Sequence, residues 1–236
     1  MKNKTLLSIA ALFSIVSLTG LTAFAAEAPA TAQGTVSKNH ITFQANNNPT
    51  KPVNPVDPEV PLDPTLPIDS EDPENPGTGN EGALTIDYIS NIQFGEKDIE
   101  SGDTVYNASN ESPFFQVTDK RGTGAGWALS AQTQGFKTTA GKQLKGAELS
   151  FKNGEIKTRS GNVSAKPLTK DVVFNNNDAK VIMSAKKDAG RGTWLDVFTG
   201  EEGNNEKIQL KVLEGSADAN VEYTAEINWT LSNAPK

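Results

Sequence analysis

The sequence predicts an all-β fold of sandwich-like antiparallel sheets, and three features of the chain carry that prediction. After Gly82, apolar and polar residues alternate over short segments, which is the pattern of strands with one buried face. Gly, Asn and Asp interrupt these segments at short intervals, as they do at turns. Beyond residue 25 no segment has a helical period. The main predicted strands are Leu84–Tyr88, Ile92–Phe94, Phe115–Val117, Trp127–Ala131, Ala147–Phe151, Val181–Met183 and Ile208–Val212.

The first 25 residues have the features of a secretory signal peptide. Lys2 and Lys4 precede an uncharged apolar stretch that ends at Ala23-Phe24-Ala25, a cleavage pattern for signal peptidase. Serine, threonine and glycine interrupt the apolar run, which argues against a retained membrane helix. We therefore expect export, cleavage after Ala25 and no membrane span in the mature chain.

Two further segments precede the β region. In residues 26–48, the stretches Gly34–Val36 and Ile41–Ala45 are predicted as a short strand pair that joins the main domain, because two strands alone are not stable. From Pro49 to Pro67 a proline stands at every third residue, which is the period of a polyproline II helix. Residues 49–82 are therefore predicted to be an acidic, stiff spacer that follows the first strand. Residues 83–236 are predicted to form the main body.

Composition limits how the exported chain could stay on a cell. The sequence has no cysteine, so neither a lipidated cysteine nor a disulfide is possible. Residues 229–236 have no sortase-type motif and no apolar tail. Removing residues 1–25 takes away two lysines and no acid, which leaves 20 basic and 29 acidic residues and a formal charge of -9. Nucleic acids and anionic lipids would repel such a chain, so we expect non-covalent retention through short-range contacts and no nucleic-acid partner.

The C-terminal segment has the most regular alternation in the chain. Residues 221–231 place an apolar or aromatic residue at every second position, including Trp229 and Leu231. A second Trp-x-Leu motif, Trp127 and Leu129, follows a glycine-rich stretch. The two tryptophans could be exposed platforms for sugar rings, since indole faces suit the C–H faces of saccharides. The alternative is that they belong to the core, because each shares a strand face with leucine and alanine.

At these residues the chain resembles the WxL-domain cell-surface proteins of Gram-positive bacteria, over essentially the whole mature sequence. Trp127 and Leu129 match the proximal motif, and the distal motif departs from the usual form at 227, 228 and 233. The resemblance implies non-covalent peptidoglycan binding beside other surface proteins, and contact with host matrix proteins in some members. The distal motif is carried by Tyr223, Ile227, Trp229, Thr230, Leu231 and Pro235.

We therefore interpret the protein as a non-enzymatic secreted protein, retained at the cell wall surface by peptidoglycan binding. The alternative is an interaction or adhesion subunit that a partner protein holds at the surface. Asp119, Lys120 and Arg121 are predicted to form a solvated turn, with ligand contact by Asp119 and Arg121 as the alternative.

No catalytic or metal site is evident in the sequence. His40 is the single histidine, which argues against a Ser-His-Asp triad or a histidine-rich metal centre. Two carboxylates would suffice for a glycosidase, but nothing in the sequence marks such a pair. The acid-rich and Asn-rich stretches at 175–178 and 201–206 do not have EF-hand spacing. We predict no catalytic residue, no metal and no cofactor.

Overall fold

The computed structural model describes residues 34–233, and this part of the chain contains strands and turns but no helix. The prediction of an all-β fold is confirmed. The chain divides into two units, residues 1–41 and 42–236, and all the strands lie in the second. The strands are β1 (Leu84–Ile89), β2 (Thr104–Ala108), β3 (Phe114–Asp119), β4 (Trp127–Thr133), β5 (Glu148–Phe151), β6 (Glu155–Lys157), β7 (Leu168–Thr169), β8 (Val172–Phe174), β9 (Lys180–Ala185), β10 (Gly192–Val197), β11 (Asn205–Val212) and β12 (Ile227–Ser232).

These strands form three antiparallel sheets of four strands each. Sheet A has the order β1-β3-β10-β6, sheet B the order β2-β11-β5-β8, and sheet C the order β12-β4-β9-β7. The last strand, β12, is therefore an edge strand that pairs with β4 alone in sheet C. A main core of aromatic and aliphatic side chains draws on all three sheets and includes Phe115, Phe151, Trp127, Ile182 and Ile208.

The central strands of sheet A, β3 and β10, are buried on both faces over most of their length, which explains why the sequence of β10 shows no alternation. All six residues of β3 are buried. Phe115 and Val117 enter the main core, whereas Phe114 enters a second core that also contains Tyr88, Val53, Leu195 and Val197. A strand covered on both sides needs no solvent-facing polar residues, so its sequence need not show a period of two. For this reason the pattern did not predict β10.

The proline-rich segment, predicted as a stiff acidic spacer, packs over the outer face of sheet A. Val53 donates its backbone N–H to the side-chain oxygen of Gln116 at 2.9 Å, and the Gln116 amide donates to the Lys51 carbonyl at 3.1 Å. Val53 is buried, and Ile68 packs against the second core. We call residues 49–82 the strap. Burial of its few apolar residues explains why the strap packs against sheet A instead of extending into water, as its prolines alone would favour.

The strap also changes the predicted order of elements. No strand occurs in residues 34–48, so the predicted strand pair at 34–45 is wrong and the strap precedes β1 instead of following a first strand. Ile41 and Phe43 are exposed. Alternation indicates which face a strand would bury, but a strand also needs a neighbour for its backbone hydrogen bonds, and no ladder includes these residues.

Two other segments differ from the prediction. Ile92 and Phe94 lie in a stretch without regular structure, and the long C-terminal strand begins at Ile227 rather than near Val221. The remaining six strand segments of the prediction are confirmed as β1, β3, β4, β5, β9 and β11. The predicted signal peptide, residues 1–25, lies outside the described residues. Within residues 34–233, no helix has the length and apolar character to cross a bilayer.

Candidate functional site

The two Trp-x-Leu motifs lie on neighbouring strands of sheet C. Strands β4 and β12 are antiparallel, and their register places Leu231 opposite Leu129 and Trp229 opposite Ala131. Residues directly opposite in such a pair share a face of the sheet, so both motifs face the main core. Because the strands run in opposite directions, the two tryptophans lie on either side of the leucine pair. Ala131 is small and buried, and a larger residue there would take space that the Trp229 side chain uses.

Trp127 is a core residue. Its side chain has no exposed surface, and its indole Nε1 donates a hydrogen bond to the Gly190 carbonyl at 3.0 Å. Gly190 has a φ of 72°, and a Cβ added there would lie 2.7 Å from that nitrogen. Position 190 therefore has to be glycine for the Trp127 indole to fit. The spacing of residues in the sequence did not reveal this requirement. Of the two interpretations left open for the tryptophans, the structure supports the core interpretation for Trp127, and Leu129 is also fully buried.

Trp229 has a different environment, although its motif is similar. It is only partly buried, and its ring packs against Phe115 with a centroid separation of 4.5 Å and an interplanar angle of 52°. The β12 residues that share its face, Ile227 and Leu231, are partly buried too. One surface of the indole is therefore anchored on the core while part of it remains accessible at the sheet edge.

Asn228 and Thr230 alternate with Trp229 along β12, so they lie on the opposite face of the strand. Asn228 and Thr230 of β12 are exposed and offer amide and hydroxyl groups to solvent. Phe136 follows β4, and its ring meets that of Phe94 edge-on at a centroid distance of 6.4 Å. Both phenylalanines are partly buried against the main core. The accessible part of the Trp229 indole is the feature of this edge that suits a saccharide, because an indole face can pack against the C–H face of a sugar ring.

The other predicted distal residues are not brought into this edge. Tyr223 precedes β12, is partly buried, and accepts a hydrogen bond at its hydroxyl from the Asp218 backbone N–H at 3.1 Å. Asp218 in turn pairs with Lys142. The hydrogen bond with Asp218 gives Tyr223 a local structural role. Pro235 lies outside the described residues.

Asp119 and Arg121 form a structural clamp, so the prediction of a solvated turn is wrong. The Asp119 side chain is fully buried, and Arg121 donates to its two oxygens from Nε at 2.9 Å and Nη2 at 2.7 Å. Arg121 also donates to the Gly126 carbonyl at 2.8 Å and to the Asn233 carbonyl at 3.4 Å. The clamp joins the end of β3, the turn before β4 and the residue after β12. It supports the Trp-bearing strands from one end.

Replacing Arg121 by lysine is expected to lower the free energy of unfolding by about 1–2 kcal/mol, because an ammonium cannot reproduce the bidentate geometry of the guanidinium. Urea unfolding followed by circular dichroism measures this loss. The matched control is Arg191→Lys, which affects an exposed pair with Asp188 and should change stability by less than about 0.5 kcal/mol. Equal effects of the two substitutions would contradict the role of the clamp.

Two buried carboxyl groups have shifted pKa values. Burial raises the pKa of Asp196 to about 7, a shift that the hydrogen bond from Thr169 Oγ1 at 2.6 Å opposes. Its second oxygen has no hydrogen-bond partner. Burial also raises the pKa of Asp87, whose oxygens accept hydrogen bonds from Thr85, Gln116 and Thr118. Both carboxyl groups are enclosed by the protein, so they affect stability and are not accessible to a substrate.

Residues 34–233 contain no group of three or more histidine, aspartate or glutamate side chains arranged to hold a metal ion. The Gly122–Gly126 stretch leads directly into β4 and not into a helix, so it has no helix N-terminus for a phosphate.

Comparison with known proteins identifies the family of this chain. Residues 30–235 match a family described as a WxL domain, surface cell wall-binding. The match includes the strap and both Trp-x-Leu strands. Neither the curated proteins nor the solved structures gave a significant match to this chain. Because the match covers nearly the whole sequence, the chain belongs to the WxL domain family of cell wall-binding surface proteins.

Proposed function

We propose that this protein binds peptidoglycan non-covalently through the edge of sheet C that β12 forms, without catalysing a reaction. Membership of the WxL family shows that the domain acts in cell wall binding at the cell surface. The observation that carries the finer proposal is the difference between the two tryptophans. Trp127 is enclosed in the core, whereas Trp229 is partly exposed at an edge strand and rests on Phe115.

The geometry suits a sugar ring for a physical reason. An indole that is fixed from behind loses little conformational freedom when a ligand stacks on its open part. The negative charge of the chain gives no long-range attraction to an anionic wall, so affinity has to come from such short-range contacts.

The proposal includes the way in which the protein reaches and stays at the wall. Residues 1–25 direct export, and the mature chain, beginning at residue 26, is retained by this non-covalent contact. The absence of cysteine from the whole sequence is consistent with this, because it leaves no residue for lipid attachment through a thioether.

Trp229→Leu is expected to reduce binding of the mature chain to protein-stripped peptidoglycan by at least about tenfold, while the protein stays folded. Leucine can fill the apolar space against Phe115 but has no ring to stack on a sugar. Trp229→Phe serves as the matched variant and should retain most of the binding. Co-sedimentation with stripped peptidoglycan gives the bound fraction, and circular dichroism confirms the fold.

Two results would count against the proposal. A folded parent protein that remains in the supernatant would reject peptidoglycan as the ligand. A leucine variant that pellets as well as the parent would keep peptidoglycan as the ligand but remove Trp229 from the site.

A further inference from the structure

A depression in the strap forms a second surface, separate from the β12 edge. Strap residues 54–70 enclose it, together with Glu111 and Ser112 from the loop before β3. Its volume is about 400 Å³, within the range of pockets that take a small ligand or a short peptide segment.

The depression is lined by apolar side chains that the fold leaves uncovered. Val56 is 63% exposed, Val60 is 49% exposed and Leu66 is 65% exposed. Val53, outside the depression, and Ile68, in its lining, pack against the second core, so the chain does bury apolar strap residues where it can. Three large exposed apolar residues around one concavity are typical of an interaction surface, whereas single exposed residues are not.

The surroundings of this depression are negatively charged. Between residues 52 and 96 the sequence has ten acidic residues and no lysine or arginine. Asp63 and Glu111 line the depression itself. Two cations hold the strap backbone on another side: Lys157 Nζ donates to the Pro55 carbonyl at 3.1 Å, and Arg159 Nε donates to the Pro58 carbonyl at 3.2 Å.

The walls are held in shape before any partner arrives. Val60 donates its N–H to the Asp57 carbonyl at 3.0 Å, and Leu66 donates to the Asp63 carbonyl at 3.2 Å, which closes two tight turns. The prolines between these turns restrict the backbone and have no N–H to donate. The surface therefore offers carbonyl and carboxylate acceptors with few donors, and a partner rich in N–H donors would complement it.

We propose that this depression is a docking site for a basic peptide segment of another protein, in which an apolar side chain enters the concavity and flanking lysines or arginines meet the acidic rim. The apolar lining provides the anchor, and the charge selects the sign of the partner. The site goes beyond the wall binding proposed above, because it lies on the strap and does not use Trp229. It would allow the protein to hold a second surface component while β12 contacts the wall.

The test is a binding titration with a defined probe on the mature chain. The probe is a fluorescein-labelled, end-capped heptapeptide with two central leucines and flanking lysines. Two matched probes replace its lysines by glutamate or its leucines by serine. We expect the basic probe to bind with a Kd on the order of 100 µM at low salt, and the other two at least about tenfold more weakly. Raising the salt concentration to 0.5 M should weaken the basic probe further.

Variants locate the binding. Leu66→Ser and Glu111→Gln should each reduce affinity for the basic probe several-fold. The first removes an apolar contact in the lining, and the second removes a negative charge at the rim. Val163→Ser is the control, since Val163 is a fully exposed apolar residue elsewhere on the chain. Trp229→Leu should leave probe binding unchanged, so failure of this proposal and failure of the wall-binding proposal are distinguishable.

Three outcomes would overturn the docking site. The first is no saturable binding of the basic probe up to about 1 mM, and the second is binding of the probe to Leu66→Ser and Glu111→Gln as tight as to the parent. Displacement of the bound probe by soluble fragments of stripped peptidoglycan would assign the depression to the wall polymer instead of to a protein partner.

Discussion

Trp127→Ala is expected to lower the free energy of unfolding by about 3–5 kcal/mol, the cost of removing a large aromatic side chain from a packed core. The indole is fully buried, so its loss leaves a cavity between β4 and the Gly190 turn. The substitution also leaves the Gly190 carbonyl without its donor. Since the free energy of unfolding of such domains is about 5–15 kcal/mol, this loss would be a large fraction of the total stability. Urea unfolding at 25 °C, followed by far-ultraviolet circular dichroism, measures the change.

The comparison with Trp229→Ala separates the two motifs. That substitution removes a partly exposed side chain from an edge strand and should cost only about 1–2 kcal/mol. Wall binding by the Trp127 variant should fall in proportion to its unfolded fraction, whereas the Trp229 variant should lose binding while folded. Equal stability losses in the two variants would contradict the different burial of the two residues.

Asp196→Asn is expected to stabilise the protein above pH 7, with a gain of up to about 4 kcal/mol that disappears at low pH. Burial raises the pKa of Asp196 from 3.8 to about 7, so the folded protein holds a proton that the unfolded chain releases. The stability of the parent should therefore decrease as pH rises from about 4 to about 7 and level off above that. The nearby Asp171 carboxylate acts in the same direction, and Lys207 opposes it.

The measurement is the unfolding free energy of parent and variant at several pH values between 4 and 8. The difference between the two proteins isolates Asp196, because the raised pKa of Asp87 contributes equally to both. Asp178→Asn is the control, since Asp178 is exposed and its removal should leave the pH profile of the parent unchanged. A constant difference between parent and Asp196→Asn across this range would show that the carboxyl group stays ionised in the folded state.

Part of the candidate site could be predicted from the sequence. The Trp-x-Leu pattern identified the two strands that carry the motifs, and alternation identified the inward face of each strand. Alternation cannot tell a central strand from an edge strand. That difference leaves Trp127 enclosed on β4 and Trp229 accessible on β12. The pairing of Trp127 with Gly190 joins residues 63 positions apart, and no local pattern signals it.

Two departures from the sequence-based expectation have different physical causes. The Asp119–Arg121 pair looked like a solvated turn because charged residues beside glycine are usually exposed, but bidentate pairing made burial of the carboxylate tolerable. The proline period of the strap predicted an extended rod, but the backbone N–H of Val53 donates a hydrogen bond to the Gln116 side chain of β3. The first outcome depends on an ion pair between residues two positions apart, and the second on a contact between residues 63 positions apart.

The sequence by itself determined that this protein is built from β-strands, that it belongs to a surface family, and that two similar strands carry its tryptophans. These properties follow from local period and composition, which the chain carries in any conformation. The tertiary structure alone decided which tryptophan is accessible, which face the strap covers and where the acidic depression lies. Exposure and concavity are properties of how distant segments pack together, and they come into existence only when the sheets are assembled.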